Sequence, residues 1–274
     1  MIGLNTVGTF ASSGGGVSYD SDAQAFFTAS GITDLTQKSA VNQLVLDLKS
    51  NSLWSKIKAL YPIVGSNATA HSYNLINTSL FQISFSSGWT HDSNGALPNG
   101  TSAYGSTGFI PNSNGMTVNN NHLLLYSKTT EVSPLGIQYY ELGSGDNTGN
   151  ILSSLFVRRS NGQAGYDDGV STTNRNTFYP TDGSGIFLGK VNSDLTSKFY
   201  RNGTLGASIS IVSQASLSPY EYYIGGFNEM NTNKYYSPKR IITVSFGLGL
   251  SDTDATNYTT CINTFNTTLG RNTY

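Results

Sequence analysis

The spacing of apolar positions changes twice along the chain. From Tyr19 to Pro62 they recur every three or four residues, as on one face of a helix. In YDSDAQAFFTASG, Asp20 or Ser21 can cap the start, Ala23, Phe26 and Phe27 supply the apolar face, and Gly31 is a stop. In TQKSAVNQLVLDLKSN, Thr36 can cap a helix whose apolar face is Ala40, Val41, Leu44, Val45 and Leu48. Ser52 can cap a third segment, with Leu53, Trp54, Ile57, Leu60 and Tyr61 apolar and Pro62 ending it. Three short helices bury little alone and need a partner surface.

After Gly65 the helical period disappears. Short alternating or apolar runs follow, among them SLFQISF, HLLLYSK, LGIQYYEL, ILSSLFVRR, GIFLGK, SKFYR, ASISIV, YEYYIGG and RIITVSFGLGL, each bounded by Gly, Asn, Ser or Pro. That spacing predicts an antiparallel jelly-roll sandwich. Asn202-Gly203 is its strongest hairpin signal, because a type I′ turn needs positive φ at both central residues. The hairpin sets Arg201 opposite Thr204, Tyr200 opposite Leu205 and Phe199 opposite Gly206, with Phe199 and Tyr200 on opposite faces of the sheet. The helical period returns at the end. Ser251 and Asp254 form a capping-box-like pair, and Ala255, Tyr258, Ile262, Phe265 and Leu269 share one stripe. Rich in Thr and Asn, this helix depends on packing, and the N-terminal helices are its expected partner, at one edge or end of the sandwich.

Composition narrows the function classes. Of 274 residues only 11% are charged and the formal net charge is -1, which leaves no basic footprint for nucleic acid. Aromatic residues make up 12%, enough for a packed core, and tyrosines outnumber phenylalanines 17 to 13. Cys261 is the only cysteine, so no intrachain disulfide forms. The opening MIGLNTVGTFASSGGG has neither the basic region of a signal peptide nor the length of a membrane span. Its Gly14-Gly15-Gly16 reads as a flexible joint, and residues 1–16 as a peptide that docks on a partner.

Two resemblances follow. FYRNGTLGA, YYIGGFNEMN and GLSDTDATNY together resemble the closing half of laminin-G-like, concanavalin A-like lectin jelly rolls, except that Arg201 stands where that pattern is apolar. Over nearly the whole chain, SYDSDAQAFFTASGITDLTQKSAVNQLVLDLKSNSLWSKIKALYPIVG, GWTHDSNGALPNGTSAY and GLGLSDTDATNYTTCINTFNTTLGR are similar to a module of virion appendage proteins of bacteriophages, particularly of Bacteroidota hosts. The resemblance implies a stand-alone structural protein of the virion, at the surface of the phage particle, with a lectin-like fold.

Candidate chemistry is sparse. Glu131, Glu141, Glu221 and Glu229 form no Glu-x-Asp-x-x-Glu run of the kind glycoside hydrolysis on this fold would use, and Asp167-Asp168 in Tyr-Asp-Asp-Gly suits a turn. His71, His91 and His122 are widely spaced, without a metal-site interval. Calcium is the one plausible ion, through Asp92 in DSNG and Asp167 and Asp168 in YDDG, though turn chemistry explains both stretches. Sugar binding would draw on aromatic faces with Asn and Asp beside them. Trp89, His91 and Asp92 are one such group, Tyr166, Asp167 and Asp168 a second, and the loop from Asn228 to Tyr235 and Tyr236 a third. Trp89 also suits a core, and Tyr235 and Tyr236 a subunit contact.

The expectation is therefore a flexible anchoring segment over residues 1–19, a helical unit over 20–65, a lectin-like sandwich over 66–250 and a C-terminal helix over 251–274. The leading expectation is a non-enzymatic virion component (spike, fibre head, or capsid or tail decoration) that joins other virion proteins through residues 1–16 and binds host-surface glycan. The alternatives are a purely structural virion or lattice protein without glycan binding and a bacterial carbohydrate-binding or hydrolytic module. Self-association as a trimer suits its neutral, Tyr-rich surface.

Overall fold

The computed structural model describes residues 18–133, 138–172, 174–211 and 216–273; the expected anchoring peptide, residues 1–16, lies outside them. Helices α1 (Ser21–Ser30) and α2 (Leu35–Ser50) come first, then strand β1 (Ile57–Tyr61) and a short α3 (Ala68–Ser72). Strands β2 (Ser84–Phe85), β3 (Trp89–Asp92), β4 (Gly95–Pro98), β5 (Gly105–Ser106), β6 (Asn121–Ser127) and β7 (Leu142–Gly145) follow. The chain continues through β8 (Leu152–Phe156), β9 (Ala164–Val170), β10 (Asn176–Phe178), β11 (Gly185–Val191), β12 (Thr196–Arg201) and β13 (Thr204–Ser210). It closes with β14 (Tyr223–Ile224), β15 (Phe227–Glu229), β16 (Thr232–Lys234), β17 (Ile241–Gly247) and α4 (Asp252–Thr268).

The protein is mainly β: two sheets, antiparallel except where β15 runs parallel to β7, pack face to face. One has the order β13-β12-β11-β6-β17-β4-β3, with β1 added on β17; the other runs β10-β9-β8-β7-β14-β5-β2, with β15 and β16 beside β7. Between them lies an apolar layer that includes Leu123, Leu125, Phe187, Phe199, Val244 and Phe246 from the first sheet and Leu142, Leu155 and Tyr166 from the second. The first sheet is buried on its other face too. There Leu124, Tyr126, Ile186, Leu188, Tyr200 and Ile242 join a second core with Phe26, Leu44, Leu48, Tyr258, Ile262 and Phe265 of the helices. This double burial explains the unbroken apolar run HLLLYS in β6, buried at every position.

Local chemistry sets the helix ends. Asp20 caps α1, whose end is Gly31 in the left-handed conformation at φ 71°. The Ser251 hydroxyl accepts from the Asp254 amide, while the Asp254 carboxylate accepts from the Ser251 amide, a complete capping box for α4. Asn202 and Gly203 take φ of 51° and 77°, as the hairpin expectation requires.

Five expectations are corrected. Ile57–Tyr61 is a strand on β17, not a helix; the apolar spacing after Ser52 is compatible with both periods, and the open edge of β17 decides it. The cap of α2 is Asp34, whose carboxylate accepts from the Gln37 amide, rather than Thr36. The helices cover a face of the first sheet instead of an edge or end, so Tyr200 is buried beneath α4 and donates to the Asp252 carboxylate. Phe199 pairs with Ala207, because a bulge takes up Gly206, whose backbone lies so close to the Phe178 ring that an added Cβ would stand 2.7 Å from it. Tyr166, Asp167 and Asp168 form the middle of β9 and not a turn, since β8 and β10 pair on both sides. The departure at Arg201 also has a structural counterpart: its guanidinium meets Asp182 at 2.7 Å and donates to the Ser184 carbonyl, pinning the hairpin to the segment before β11.

Candidate functional site

The helices cover the first sheet; the outer face of the second is covered by side chains of its own strands and loops, so that β7 and β8 are buried at every position. Alternation along its strands decides what stands there. Leu155 of β8 turns inward, and its neighbour Phe156 outward; Ala164 and Tyr166 of β9 turn inward, with Gly165 and Asp167 outward. Glycines form part of the floor. A Cβ on Gly165 would lie 2.1 Å from the Phe156 ring, and one on Gly145 would lie 2.8 Å from the Phe227 ring, so both rings rest directly on backbone.

On that floor stands a separate apolar cluster of Tyr140, Leu152, Phe156 and Phe227. Tyr140 and Phe227 have ring centroids 4.6 Å apart, and Tyr235 completes the group at 5.6 Å from Tyr140 and 6.2 Å from Phe227. Tyr235 is 41% exposed and held at a positive φ of 56°. The β15–β16 hairpin, turning through Met230 and Asn231 at positive φ, brings Phe227 and Glu229 to the same place. Tyr140, Leu152, Phe227 and Tyr235 wall a groove of about 210 Å³, rimmed by Gln138, Asp146, Asn147, Thr148, Thr172 and Glu229, with Phe156 beneath Tyr140. Aromatic faces and hydrogen-bonding side chains in one shallow concavity are what sugar recognition requires.

Electrostatics are arranged behind the wall. The Arg159 guanidinium lies 3.5 Å from the Phe156 ring centre and 4.2 Å from that of Tyr140. Burial lowers its pKa. Arg175 pairs with Asp167 at 2.9 Å and donates to the Tyr140 hydroxyl; burial acts to lower its pKa, but the Asp167 carboxylate outweighs this and leaves it raised. On the rim, burial raises the Asp146 pKa, and hydrogen bonds from Thr148 and the amides of Ile151 and Asn150 more than reverse this. Glu229 pairs with Lys234.

The structure divides the sequence candidates. Tyr235 is a groove wall. Tyr236 is half-buried next to it. Asn228 lies in β15 beside the wall residues Phe227 and Glu229, but it is fully buried and donates to the Glu221 carbonyl. Tyr166, Asp167 and Asp168 are buried as well: Tyr166 packs over Gly189, where a Cβ would stand 2.1 Å from its ring, Asp167 serves Arg175 and Ser154, and burial pushes the Asp168 pKa up to about 7. Trp89, His91 and Asp92 lie in β3 of the helix-covered sheet. There Trp89 donates to the Tyr104 carbonyl, His91 stacks on Trp89 and meets His71 Nδ1 at 2.9 Å, and Asp92 pairs with Arg240. Of the three aspartates considered for calcium, Asp92 thus sits in one sheet and Asp167 and Asp168 in the other, Asp92 and Asp167 each on an arginine; among the described residues no group of three or more His, Cys, Asp or Glu is arranged around a metal position. No helix of the described residues is long and apolar enough to cross a membrane.

Sequence reasoning missed Tyr140, Phe156, Phe227, Arg159 and Arg175. The signal available was Gly143, Gly145 and Gly165 at alternate positions, three gaps on one sheet face.

No protein-family model matches the chain, and no curated protein matches its sequence. Solved structures share its architecture. The binding domain of botulinum neurotoxin serotype D is 12% identical, with a TM-score of 0.52 over 76% of this chain and 52% of that one. Domain 4 of AbnA, a GH43 extracellular arabinanase from Geobacillus stearothermophilus solved in complex with arabinotriose, is 14% identical, with a TM-score of 0.51 over 74% of this chain and 98% of that one. A mutant Trypanosoma rangeli sialidase displaying trans-sialidase activity is 11% identical, with a TM-score of 0.53 over 78% of this chain and 37% of that one. The chain therefore spans about half of the toxin chain and little more than a third of the sialidase chain. At these identities the likeness concerns the fold alone, a two-sheet β-sandwich.

Proposed function

We propose that the protein is a non-enzymatic, lectin-like component of a phage particle that binds host-surface glycan in the groove between Tyr140, Phe227 and Tyr235. The observation that carries this reading is the groove itself. Helices cover one sheet, and on the outer side of the other the exposed ring of Tyr235 stands with the buried rings of Tyr140 and Phe227 and with polar side chains over a glycine floor. The arabinanase domain bound to arabinotriose is a precedent for sugar recognition on this architecture. The two carboxylates on the groove's rim are engaged locally, Asp146 with Thr148 and the amides of Asn150 and Ile151 and Glu229 with Lys234, which favours binding over hydrolysis.

The similarity to virion appendage modules supplies the setting. Residues 1–16 join other virion proteins, the chain self-associates as a trimer, and the sandwich faces the host. A glycan array probed with the wild-type protein and Tyr235→Ala tests the binding reading. The wild type should retain a defined set of glycans that the variant loses. A consistently blank array with folded protein sinks it. For the setting, a chain lacking residues 1–16 should fold yet no longer enter particles, and normal incorporation refutes the anchor.

A further inference from the structure

The groove's own lining carries charge of one sign. Asp146 and Glu229 are its charged residues, and among the described residues no cation lines it. Strand pairing brings the two carboxylates to the same end: Glu229 of β15 lies opposite Gly145 of β7, the residue before Asp146. Behind the wall, Arg175 is matched by Asp167 and Lys239 by Glu141. Arg159 is stacked on the rings of Phe156 and Tyr140 there, 7% exposed, and does not reach the lining.

The two carboxylates differ in how their charge is met. Glu229 pairs with Lys234, which offsets it. Asp146 has no cationic partner among the described residues: its Oδ1 accepts from the amides of Asn150 and Ile151, and its Oδ2 from the Thr148 hydroxyl. Burial acts against its charge, but these hydrogen bonds outweigh it and hold the carboxylate ionised. Each carboxylate oxygen has two lone-pair positions, so Oδ2 has room for a second donor. Beside it, the side chains of Gln138, Asn147 and Thr172 make no hydrogen bond among the described residues and offer both donors and acceptors. Sugar hydroxyls fit such a lining, since they donate to the carboxylate and exchange hydrogen bonds with the amides. A carboxylate or sulfate on the sugar would instead meet a like charge with no cation at hand to pair it.

Resting on the glycan-binding reading, we infer that the groove selects uncharged glycans and rejects acidic ones, with Asp146 as the residue that sets this specificity. Its Oδ2 accepts from a sugar hydroxyl, and its charge repels an anionic substituent.

The test uses the full chain on an array carrying matched pairs: polygalacturonate with its methyl ester, and dextran sulfate with dextran, among a broad set of neutral and acidic host glycans. Two unit charges about 4 Å apart in water repel enough to weaken binding about fivefold, so uncharged members should exceed their acidic partners by at least that factor. Salt screens the repulsion, and the weak signals of the acidic members should rise with it. Asp146→Asn keeps an oxygen for the two amides and suits the same turn. It should melt as the wild type does, bind uncharged members less tightly and narrow the gap to the acidic ones about fivefold. Acidic members bound as well as uncharged ones, or acidic signals that fall as salt rises, overturn the inference and leave the glycan-binding reading standing. A blank array overturns both. A folded Asp146→Asn protein with wild-type discrimination also overturns it, and should that variant not fold, the salt dependence of the wild type decides.

Discussion

Acid should destabilise this protein in a way that one buried carboxyl group masks. His71 and His122 are buried in the neutral form, and burial lowers their pKa values from 6.5 to about 3 and about 4. Around His71 stand His91, Arg271 and Asp92; His122 hydrogen-bonds the Leu248 carbonyl. A base depressed in the native state binds its proton mainly after unfolding, so its stabilisation is full above pH 6.5 and is lost as pH falls. Asp168 acts oppositely. Burial raises its pKa from 3.8 to about 7, so the native state takes up a proton that the unfolded chain does not, and stability is gained as pH falls through 7. At 1.36 kcal/mol per unit, going from pH 8 to pH 5 loses about 2 kcal/mol at each histidine and returns roughly 2.6 at Asp168. His91, also lowered by burial, adds to the loss, so the wild type should lose at least about 1.5 kcal/mol, and Asp168→Asn, which keeps the shape of the neutral acid, about 2.6 more. Carboxylates that are paired in the native state, such as Asp92 and Asp252, have lowered pKa values and contribute only below this window. Urea unfolding at pH 8, 7, 6 and 5 measures both slopes. Equal slopes for wild type and Asp168→Asn, or a wild type more stable at pH 5 than at pH 8, would refute the reasoning.

Three further outcomes are expected. Gly165→Ala places a methyl group against the Phe156 ring and should cost about 1–3 kcal/mol by overpacking, read as a lowered melting temperature; an unchanged value would show that the ring does not rest on the floor. Ser251→Ala removes half of the α4 capping box and should cost about 1 kcal/mol in urea unfolding, and a loss below a few tenths argues against the cap. Cys261 is 5% exposed, with its thiol pushed up to about 11 by burial, so a thiol reagent at pH 8 should modify it only on unfolding; rapid modification of the folded protein contradicts that burial.

The elements that repeat one simple period were legible in the sequence. The apolar faces of α1, α2 and α4, the runs in β6, β11 and β17, and the Asn202-Gly203 turn all follow from side-chain spacing. What failed depended on tertiary surroundings. Ile57–Tyr61 is a strand because β17 offers an unpaired edge. AGYDDGV has the composition of a turn, but its two aspartates are absorbed separately, Asp167 by Arg175 on the outer face and Asp168 as a buried acid within the sandwich. The groove was half visible: Tyr235 stood out as an aromatic in a polar loop. Tyr140, Phe156 and Phe227 read as ordinary strand residues, since nothing local reveals which sheet face the helices do not cover.

The helical layer over the first sheet gives the molecule a direction. Asp20 is tied to α2 through Asn42 and Lys49, and Arg271 is tied to the carbonyls of Pro62 and Ile63. Both points of chain attachment therefore lie on the helix-covered side, away from the groove. A tether joined at either one reaches the molecule from the helix-covered side and leaves the groove clear of the attachment.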